Sequence, residues 1–304
     1  MNILGKRYIF FGVSLLIITV GLILLALGKT PLSVDFTGGS LLEISFANKS
    51  PQPGEIIAIY ESGNLKDVQV QTSDTGSYII RSQFLDNDQR DAVLSALTET
   101  IGEVEVIRFD SVGPSIGEQV TSRGAIAVTV ASLLVVLFIA WSFRGVQNAF
   151  RYGICAILAM IHDVAIIFAV AGFGGLLFGW EIDSLFLTAL LTVIGFSMQD
   201  TIVVFDRIRE NANIYRRLDF ETLVNHSIVQ TLQRSINTQL MTVEFLLLSL
   251  AMFGGATLRE FASILLIGLL SGTYSSIFIA APILVLWEKR EWQTWFKRPN
   301  QAQA

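Results

Sequence analysis

The stretch "LTALLTVIGFSMQDTIVVFDRIREN", Leu187 to Asn211, places one acid, Asp200, inside an otherwise apolar run. That run is long enough to cross a bilayer, since about 20 helical residues span about 30 Å of hydrocarbon. An ionised carboxylate at the centre of a membrane costs roughly 2.5–3.5 kcal/mol on insertion scales. We therefore expect Asp200 to be neutral, paired with a cation or directed towards a wet cavity. Each of these states makes Asp200 a candidate proton carrier.

The composition of the whole chain indicates a membrane protein. Of the 304 residues, 52% are hydrophobic and only 15% are charged, which is too apolar for a soluble domain of this size. The sequence therefore predicts a polytopic α-helical membrane protein. Six stretches have the length and composition of transmembrane helices: 8–27, 124–143, 152–175, 184–205, 237–254 and 261–287.

Charged residues predict how these spans are oriented. The first span follows Lys6 and Arg7, is longer than the apolar core of a secretory signal, and lacks a small-x-small cleavage site, so we expect a retained anchor. Basic residues gather after the second and fourth spans and in the tail, whereas the opposite short loops carry only Arg259. The positive-inside rule then predicts that both termini are cytoplasmic. The predicted divisions are 1–27, 28–121, 122–288 and a tail at 289–304.

Residues 28–121 have the patterning of a soluble domain. They contain 14 acidic and 6 basic residues, which offers no basic patch for nucleic acid. Strand and helix signals alternate as β-α-β-β-α-β, with a first helix from Pro53 to near Gly63 and a second helix that ends at Gly102. This order predicts an extracytoplasmic α+β domain of the ferredoxin-like type. We expect it to bind a partner outside the membrane, with a purely structural cap as the alternative.

Polar residues near Asp200 suggest a proton pathway. Ser197 lies three residues earlier on the same helical face and Thr201 follows Asp200, so a hydroxyl or a bound water could relay a proton. Arg234, just before the fifth span, is the candidate counter-charge, and only Asp200 of this pair could exchange a proton. The "TYSS" segment, Thr273–Ser276, would add hydroxyls to the same polar seam. The alternatives are that Asp200 only fastens helices and that Arg234 only anchors the helix mouth.

Two adjacent polar residues, His162 and Asp163, lie in the third span. Neighbouring residues are about 100° apart around a helix, so we expect the two side chains to face different directions. One would line the polar cavity and the other would find a nearby partner. Both are candidates for the proton pathway, and a structural role is the alternative.

Two further acids lie near the ends of predicted spans. Asp206 could receive an outgoing proton, although an ion pair with Arg207 or Arg209 is the simpler role. Glu244, in the fifth span, is either an accessory proton site or a fastener between helices.

The segment "VDFTGG", Val34–Gly39, follows the first span. Paired glycines permit backbone angles that other residues resist. We predict that Asp35, Gly38 and Gly39 form a hinge for the outer domain, with a simple tight turn as the alternative.

The chain has no G-x-x-x-x-G-K-[ST] loop, so we do not predict an ATPase. We predict neither catalytic residues nor a metal or cofactor, and we expect protons to be the coupling ion.

Six ordered motifs between about residue 5 and about residue 290 resemble the SecF family. Its members are the smaller subunits of SecDF, a protein-export complex of the resistance-nodulation-division superfamily. The motifs are "SVDFTGGSLLEISF", "VGPSIGEQV", "HDV", "GFSMQDTIVVFDRIREN", "SIVQTLQRSINT" and "GTYSSIFIAAPIL". Gln199 stands where the family usually has asparagine, and Glu244 is not part of the family pattern.

The resemblance implies a partner subunit, SecD, and an auxiliary role for the pair at the SecYEG channel and the SecA motor. Inward proton flow would complete the outward movement of unfolded secreted polypeptides, with domain 28–121 swinging to hold the emerging chain. In the family, the residues that correspond to Asp200 and Arg234 take part in proton passage. The implied location is the bacterial plasma membrane or a thylakoid membrane, in contact with lipid. The alternatives are a half-transporter for small molecules or lipids and a non-conducting structural subunit.

Overall fold

The structure is a computed structural model that describes residues 3–28, 30–47, 50–72, 76–144, 149–239 and 245–293. It divides into two compact units, one formed by Met1–Pro31 with Ala127–Ala304 and the other by Leu32–Ile126. The larger unit contains α1 (Arg7–Ala26), α6 (Ala149–Phe178), α7 (Ser184–Ile214), α8 (Phe220–Gln239), α9 (Phe245–Phe253), α10 (Ala256–Ser275), α11 (Ala281–Glu288) and part of α5 (Pro114–Ser142).

Within the described residues, five helical segments are long and apolar enough to cross a membrane. They are Leu4–Ala26, Pro114–Ser142, Ala149–Phe178, Ser184–Ile214 and Thr257–Glu288. These segments correspond to predicted spans one to four and six. The fifth predicted span, 237–254, includes residues 240–244, which lie outside the described residues, and so does Glu244. The total of six spans therefore stays a prediction.

Helix α8 precedes most of the predicted fifth span and ends at Gln239, just inside it. Its buried positions, Leu223, Val224, Ser227, Ile228 and Thr231, recur every three or four residues and form one helical face. Three of them, Leu223, Val224 and Ile228, join the core of the larger unit. This face explains why a segment with a polar overall composition still packs as a regular helix.

Small residues let α10 approach α7 closely. A Cβ atom built on Gly268 would lie 2.5 Å from Cγ2 of Val193, and one built on Gly272 would lie 3.0 Å from Cβ of Ser197. Glycine spaced by four residues is a common device for bringing membrane helices together. Here it brings the polar residues of α10 up to those of α7.

The last apolar segment changes its winding near its middle. Residues Ser276–Ala280 form a π-helical turn between α10 and α11, and Pro282 lies in the first turn of α11. Proline lacks an N–H and its ring crowds the preceding turn, so wider winding before it is physically expected. The π turn begins at the serines that reach into the polar interior of the larger unit.

The smaller unit contains a four-stranded antiparallel sheet in the order β2-β3-β1-β4. Its elements are α2 (Val34–Thr37), β1 (Gly39–Phe46), α3 (Pro53–Ser62), β2 (Gln69–Thr72), β3 (Tyr78–Ser82), α4 (Asn87–Thr100) and β4 (Val104–Val112). After the short α2, the order is the predicted β-α-β-β-α-β. Pro53 opens α3, and a capping box between Asp86 and Gln89 opens α4. The sheet and both helices share a core that includes Leu42, Tyr60 and Leu97.

Both glycines of the predicted hinge have left-handed backbone angles, with φ of 70° at Gly38 and 110° at Gly39. A Cβ atom at Gly38 would lie 2.9 Å from Cα of Pro114, and one at Gly39 would lie 2.7 Å from the carbonyl oxygen of Ser82. The turn is tightly packed and requires glycine at both positions. Asp35 lies in the first turn of α2, where its N–H donates to the Ser33 hydroxyl. A hinge motion at these residues stays a prediction.

Candidate functional site

Asp200 lies near the middle of α7 and is only 9% exposed. Its Oδ1 accepts a hydrogen bond of 2.9 Å from the Ser235 hydroxyl on α8. Its Oδ2 is buried, and among the described residues it has no hydrogen-bond partner. Thr273 on α10 lies close to this carboxyl group, and its hydroxyl is also buried without a partner in the described part of the chain. We call Asp200, Arg234, Ser235 and Thr273 the Asp200 site.

A small cavity of about 50 Å³ borders Asp200. Water needs about 10–15 Å³ and two or more polar partners, so the cavity can hold it. The lining residues are Phe196, Gln199, Asp200, Val203, Arg234, Thr238 and Gln239. Of the three environments expected for Asp200, the structure therefore offers a polar cavity together with one hydroxyl donor.

Arg234 borders the same cavity from α8. It lies close enough to act electrostatically on Asp200, but no ion pair of 4.0 Å or less joins them among the described residues. Arg234 lies within the regular helix α8, and its role as an anchor at the mouth of the fifth span stays an alternative. The predicted counter-charge therefore faces Asp200 without direct contact.

Asp163 on α6 has a much more complete shell of donors. It is 1% exposed and accepts hydrogen bonds from the hydroxyls of Ser197, Ser271 at 3.0 Å and Ser275 at 2.6 Å. Nδ1 of His162 lies 3.0 Å from its Oδ1. We call His162, Asp163, Ser197, Ser271 and Ser275 the Asp163 cluster.

Two sequence predictions are corrected by this cluster. The Ser197 hydroxyl donates to Asp163 and not to Asp200, because it projects towards α6. His162 and Asp163 contact each other, although their positions on the helix predicted that they would separate. The reason is that an imidazole ring is long enough to reach the carboxylate of the adjacent residue.

Thr201 faces the π-helical turn. Its hydroxyl donates to the Ser197 carbonyl at 3.1 Å and lies 2.8 Å from the Ser276 hydroxyl. Of the "TYSS" hydroxyls, Ser275 therefore serves the Asp163 cluster, Ser276 contacts Thr201, and Thr273 lies near Asp200. The predicted polar seam is divided between two carboxylates.

Asp206 forms an ion pair of 2.6 Å with Arg209 on an exposed part of α7. Arg209 is one of the two partners that the sequence suggested. Arg207 instead pairs with Glu210 at 2.7 Å. Relay of an outgoing proton by Asp206 stays a prediction.

Sequence reasoning missed a network of ion pairs at one end of the bundle. Arg7 contacts Glu221 at 2.9 Å and Glu291 at 2.6 Å, and Lys289 contacts Glu221 at 2.7 Å and Asp219 at 3.2 Å. A hydrogen bond from Lys289, followed by one from Arg7, lowers the pKa of Glu221, and Lys289 likewise lowers the pKa of Asp219. The Glu221 hydrogen bond raises the pKa of Lys289. No local pattern signals these contacts, since the partners are far apart in the chain.

Ser235, Ser271 and Ser275 were also missed as individual ligands of the two acids. Serine is common in membrane helices, and its sequence position does not reveal its partner. The available signal was the spacing of four residues between Ser271 and Ser275, which places them on one helical face.

Comparison with known proteins identifies the family. Residues 92–290 match the family model described as protein export membrane protein SecD/SecF, C-terminal. The chain is 60% identical over 300 residues to the protein translocase subunit SecF of Anaerolinea thermophila, covering 98% of this chain and 97% of that protein. It is 43% identical over 315 residues to SecF of Thermobaculum terrenum, covering 100% of this chain and 99% of the relative.

A solved structure has the same fold over nearly the whole chain. The crystal structure of SecDF from Thermus thermophilus matches with a TM-score of 0.79 and 31% sequence identity, covering 95% of this chain. This chain spans 39% of the length of that SecDF chain. The similarity to SecF proteins over their full length, together with this structural match, means that the chain belongs to the SecF family of protein translocase subunits.

Proposed function

We propose that this protein couples inward proton flow to the late stage of protein export, with Asp200 as the group that takes up and releases the proton. The observation that carries the proposal is the state of Asp200: it is buried, one oxygen has no partner among the described residues, and the carboxyl group borders a small cavity with Arg234. A carboxylic acid in such a place can change its protonation state only together with its surroundings.

The proposed cycle has two states. In one, an ionised Asp200 accepts from Ser235 and attracts Arg234 across the cavity, which draws α8 towards α7. In the other, the protonated acid no longer attracts the guanidinium, and the two helices repack. Each proton releases about 2.3 kcal/mol per 100 mV of potential and about 1.4 kcal/mol per pH unit, enough to bias a two-state movement.

The proposed partner subunit is SecD. The fused SecDF of Thermus thermophilus is 34% identical to this chain over 309 residues, which make up 40% of its length. The name and length of that protein support the idea that a separate chain supplies the remaining part here. We also propose that the pair works with the SecYEG channel and the SecA motor on an unfolded secreted polypeptide, and that a partner hydrolyses ATP. The proposed location is the bacterial plasma membrane, with both termini in the cytoplasm.

We assign the unit Leu32–Ile126 to the ferredoxin-like type, because the β-α-β-β-α-β order and the antiparallel sheet β2-β3-β1-β4 support that type. We propose that this unit lies on the outer side of the membrane and holds the emerging polypeptide. Proton transfer at Asp200 would drive its swing, with Gly38 and Gly39 near the moving junction.

The test is proton flux and export in vesicles that contain this chain with SecD, SecYEG and SecA. Asp200→Asn keeps the size of the side chain but cannot ionise, so we expect both proton flux and potential-dependent export to be lost. Glu210→Gln is the matched control, since it removes an exposed acid from the same helix and should leave both activities near the original level. Unchanged flux and export in Asp200→Asn would leave only a structural role.

One observation favours a second candidate function, a half-transporter for lipids or other apolar molecules. An apolar cavity of about 550 Å³ lies between α5 and α7. Its lining is Leu134, Val135, Phe138, Gly195, Met198, Gln199, Ile202 and Val203. Proton-dependent movement of a labelled lipid across vesicles that contain only this chain and SecD would support this alternative, and Gly195→Leu, which narrows the cavity, should then slow it.

A further inference from the structure

We propose that His162 and Asp163 form a second proton-binding site in the bundle, separate from Asp200, in which Nε2 of His162 takes the proton and Asp163 balances the resulting charge. The inference deepens the proposed function, on which it rests for the idea that protons move through this bundle. Its evidence is the arrangement of donors around the two side chains.

The hydrogen bonds of Asp163 fit an ionised carboxylate. Oδ1 accepts a hydrogen bond from the Ser271 hydroxyl and lies within hydrogen-bond distance of Nδ1 of His162. Oδ2 accepts hydrogen bonds from the hydroxyls of Ser197 and Ser275. A carboxylate offers about four lone-pair positions, and all of them are used here. A protonated Asp163 would require one of these hydroxyls to turn and accept the proton, as Ser275 could by donating only to the Gly272 carbonyl.

A buried carboxylate needs a compensating cation. Among the described residues, His162 is the cationic partner recorded within 4.0 Å of Asp163. With a neutral imidazole the pair carries one negative charge in a nearly dry interior, whereas with an imidazolium it is neutral overall. Uptake of one proton by His162 therefore removes an uncompensated buried charge.

The second nitrogen of His162 is available for that proton. When Nδ1 donates to Asp163, a neutral imidazole carries its lone pair on Nε2. That atom is buried and has no hydrogen-bond partner in the described part of the chain, and the side chain is 9% exposed. The ring stacks on Tyr274 with centroids 6.2 Å apart, but the Tyr274 hydroxyl donates to the Phe10 carbonyl instead.

Few other ionisable groups surround the pair. Helix α6 packs against α1, α7, α10, α11 and the π-helical turn. Within the described residues, the ionisable side chains in contact with His162 are those of Tyr274 and Asp163. Asp200 lies three residues beyond Ser197 on α7, about 4.5 Å along the helix axis. The other ionisable residues of these described helices are Arg7 and Tyr8 on α1, Asp206, Arg207, Arg209 and Glu210 on α7, Arg259 and Glu260 on α10, and Glu288 on α11.

The geometry favours a proton over a metal cation such as Na⁺. The serine oxygens of Ser271 and Ser275 are already in direct hydrogen bonds with the carboxylate, at 3.0 and 2.6 Å, so no gap remains between them for an ion. An imidazole lone pair is a base, whereas Na⁺ prefers a cage of oxygen atoms. Binding of Na⁺ at this site is the alternative that the experiment below distinguishes from binding of a proton.

The chain has two histidines, which makes a direct measurement feasible. Nitrogen-15 NMR of histidine-labelled, full-length His226→Gln protein in lipid nanodiscs with SecD reports on His162 alone. We expect the Nε2 signal to change from that of an unprotonated nitrogen to that of a protonated one as the pH is lowered. Asp163→Asn should lower the proton affinity of His162 by about tenfold or more, since it removes the balancing charge.

Ser271→Ala is the second variant, because it keeps the carboxylate and removes one of its donors. It should move the titration midpoint less than Asp163→Asn does, and it decides the question if Asp163→Asn no longer copurifies with SecD. The proposal is overturned if Nε2 keeps one signal over the whole pH range, or if neither variant moves the midpoint. Replacing K⁺ by Na⁺ at constant ionic strength should also leave the midpoint unchanged, and a sodium-dependent midpoint would overturn the assignment to a proton alone.

The two proposals fail in different ways. If Asp200→Asn leaves proton flux unchanged while His162 titrates as described, the proposed function is wrong and the second site stands as a proton-binding site. If flux depends on Asp200 but His162 does not titrate, only the present inference is wrong.

Discussion

Ser235 on α8 donates its hydroxyl to Asp200 on α7 over 2.9 Å, and the Thr273 hydroxyl on α10 lies close to the same carboxyl group. This contact joins the helix that carries Arg234 to the helix that carries the acid, at the level of the acid itself, while Asn211 and Arg207 bond to α8 nearer the end of α7. It therefore makes the position of α8 sensitive to the state of Asp200.

We expect Ser235→Ala to weaken this link. Loss of one partner from a buried polar group costs about 1–3 kcal/mol, so the thermal midpoint of the detergent-solubilised chain should fall. The midpoint of Ser235→Thr, which keeps a hydroxyl, should fall less. Thr238→Ala removes a hydroxyl that donates to the Arg234 carbonyl of its own helix, and it should change the midpoint little. Equal midpoints for Ser235→Ala and the parent chain would show that the contact adds no stability.

Close packing of α10 on α7 should make Gly268 sensitive to substitution. A Cβ atom there would lie 2.5 Å from Cγ2 of Val193, and overpacking of this kind costs about 1–3 kcal/mol. We expect Gly268→Ala to lower the midpoint of unfolding in detergent. Gly195→Ala is the matched control on α7, since nothing lies within 4 Å of its added Cβ atom. A similar effect of both variants would mean that helix propensity, not packing, decides the outcome.

Gly39 should be even less tolerant, because it combines strain with crowding. Its φ is 110° and an added Cβ atom would lie 2.7 Å from the Ser82 carbonyl oxygen. Such backbone strain costs on the order of 1–3 kcal/mol, so Gly39→Ala should destabilise strands β1 and β3. Hydrogen exchange of these strands in the full chain measures the effect. Gly54→Ala in α3, where the new Cβ atom meets nothing within 4 Å, should leave exchange unchanged or slower.

The ion-pair network around Glu221 predicts a pH dependence of stability. Its pKa is lowered below the ordinary 4.5 by the hydrogen bond from Lys289 and then by the one from Arg7. A lowered pKa means that the ionised group stabilises the folded state above pH 4.5, and that this stability disappears as the pH falls through the lowered value. The Lys289 pKa is raised above 10.5, so its contribution is complete below that pH and is lost as the pH rises through the raised value.

Glu221→Gln tests this window directly. We expect its thermal midpoint to lie below that of the parent chain near neutral pH, and the difference to shrink once the pH falls below 4.5. Glu210→Gln, which removes a different exposed ion pair on α7, should show a smaller difference. A difference between Glu221→Gln and the parent that stays constant from neutral to acidic pH would contradict the electrostatic explanation.

Local properties of the sequence determined much of this protein. Runs of apolar residues predicted the five spanning segments that the described residues contain, since length and composition within a segment decide whether it suits hydrocarbon. Alternating patterns with Pro53 and Gly102 likewise predicted the β-α-β-β-α-β order. The two glycines after the first span indicated backbone angles that other residues resist, and these angles are left-handed in the structure.

Only the tertiary structure decided which polar groups meet. The rotation of each helix about its axis, set by close contacts such as Gly272 against Ser197, directs the Ser197 hydroxyl to Asp163 and leaves Ser235 to serve Asp200. The same holds for Arg7 and Glu221, which are more than 200 residues apart in the chain. A hydroxyl or a charge has a local position in the sequence, but its partner depends on packing between distant segments, and no local pattern carries that information.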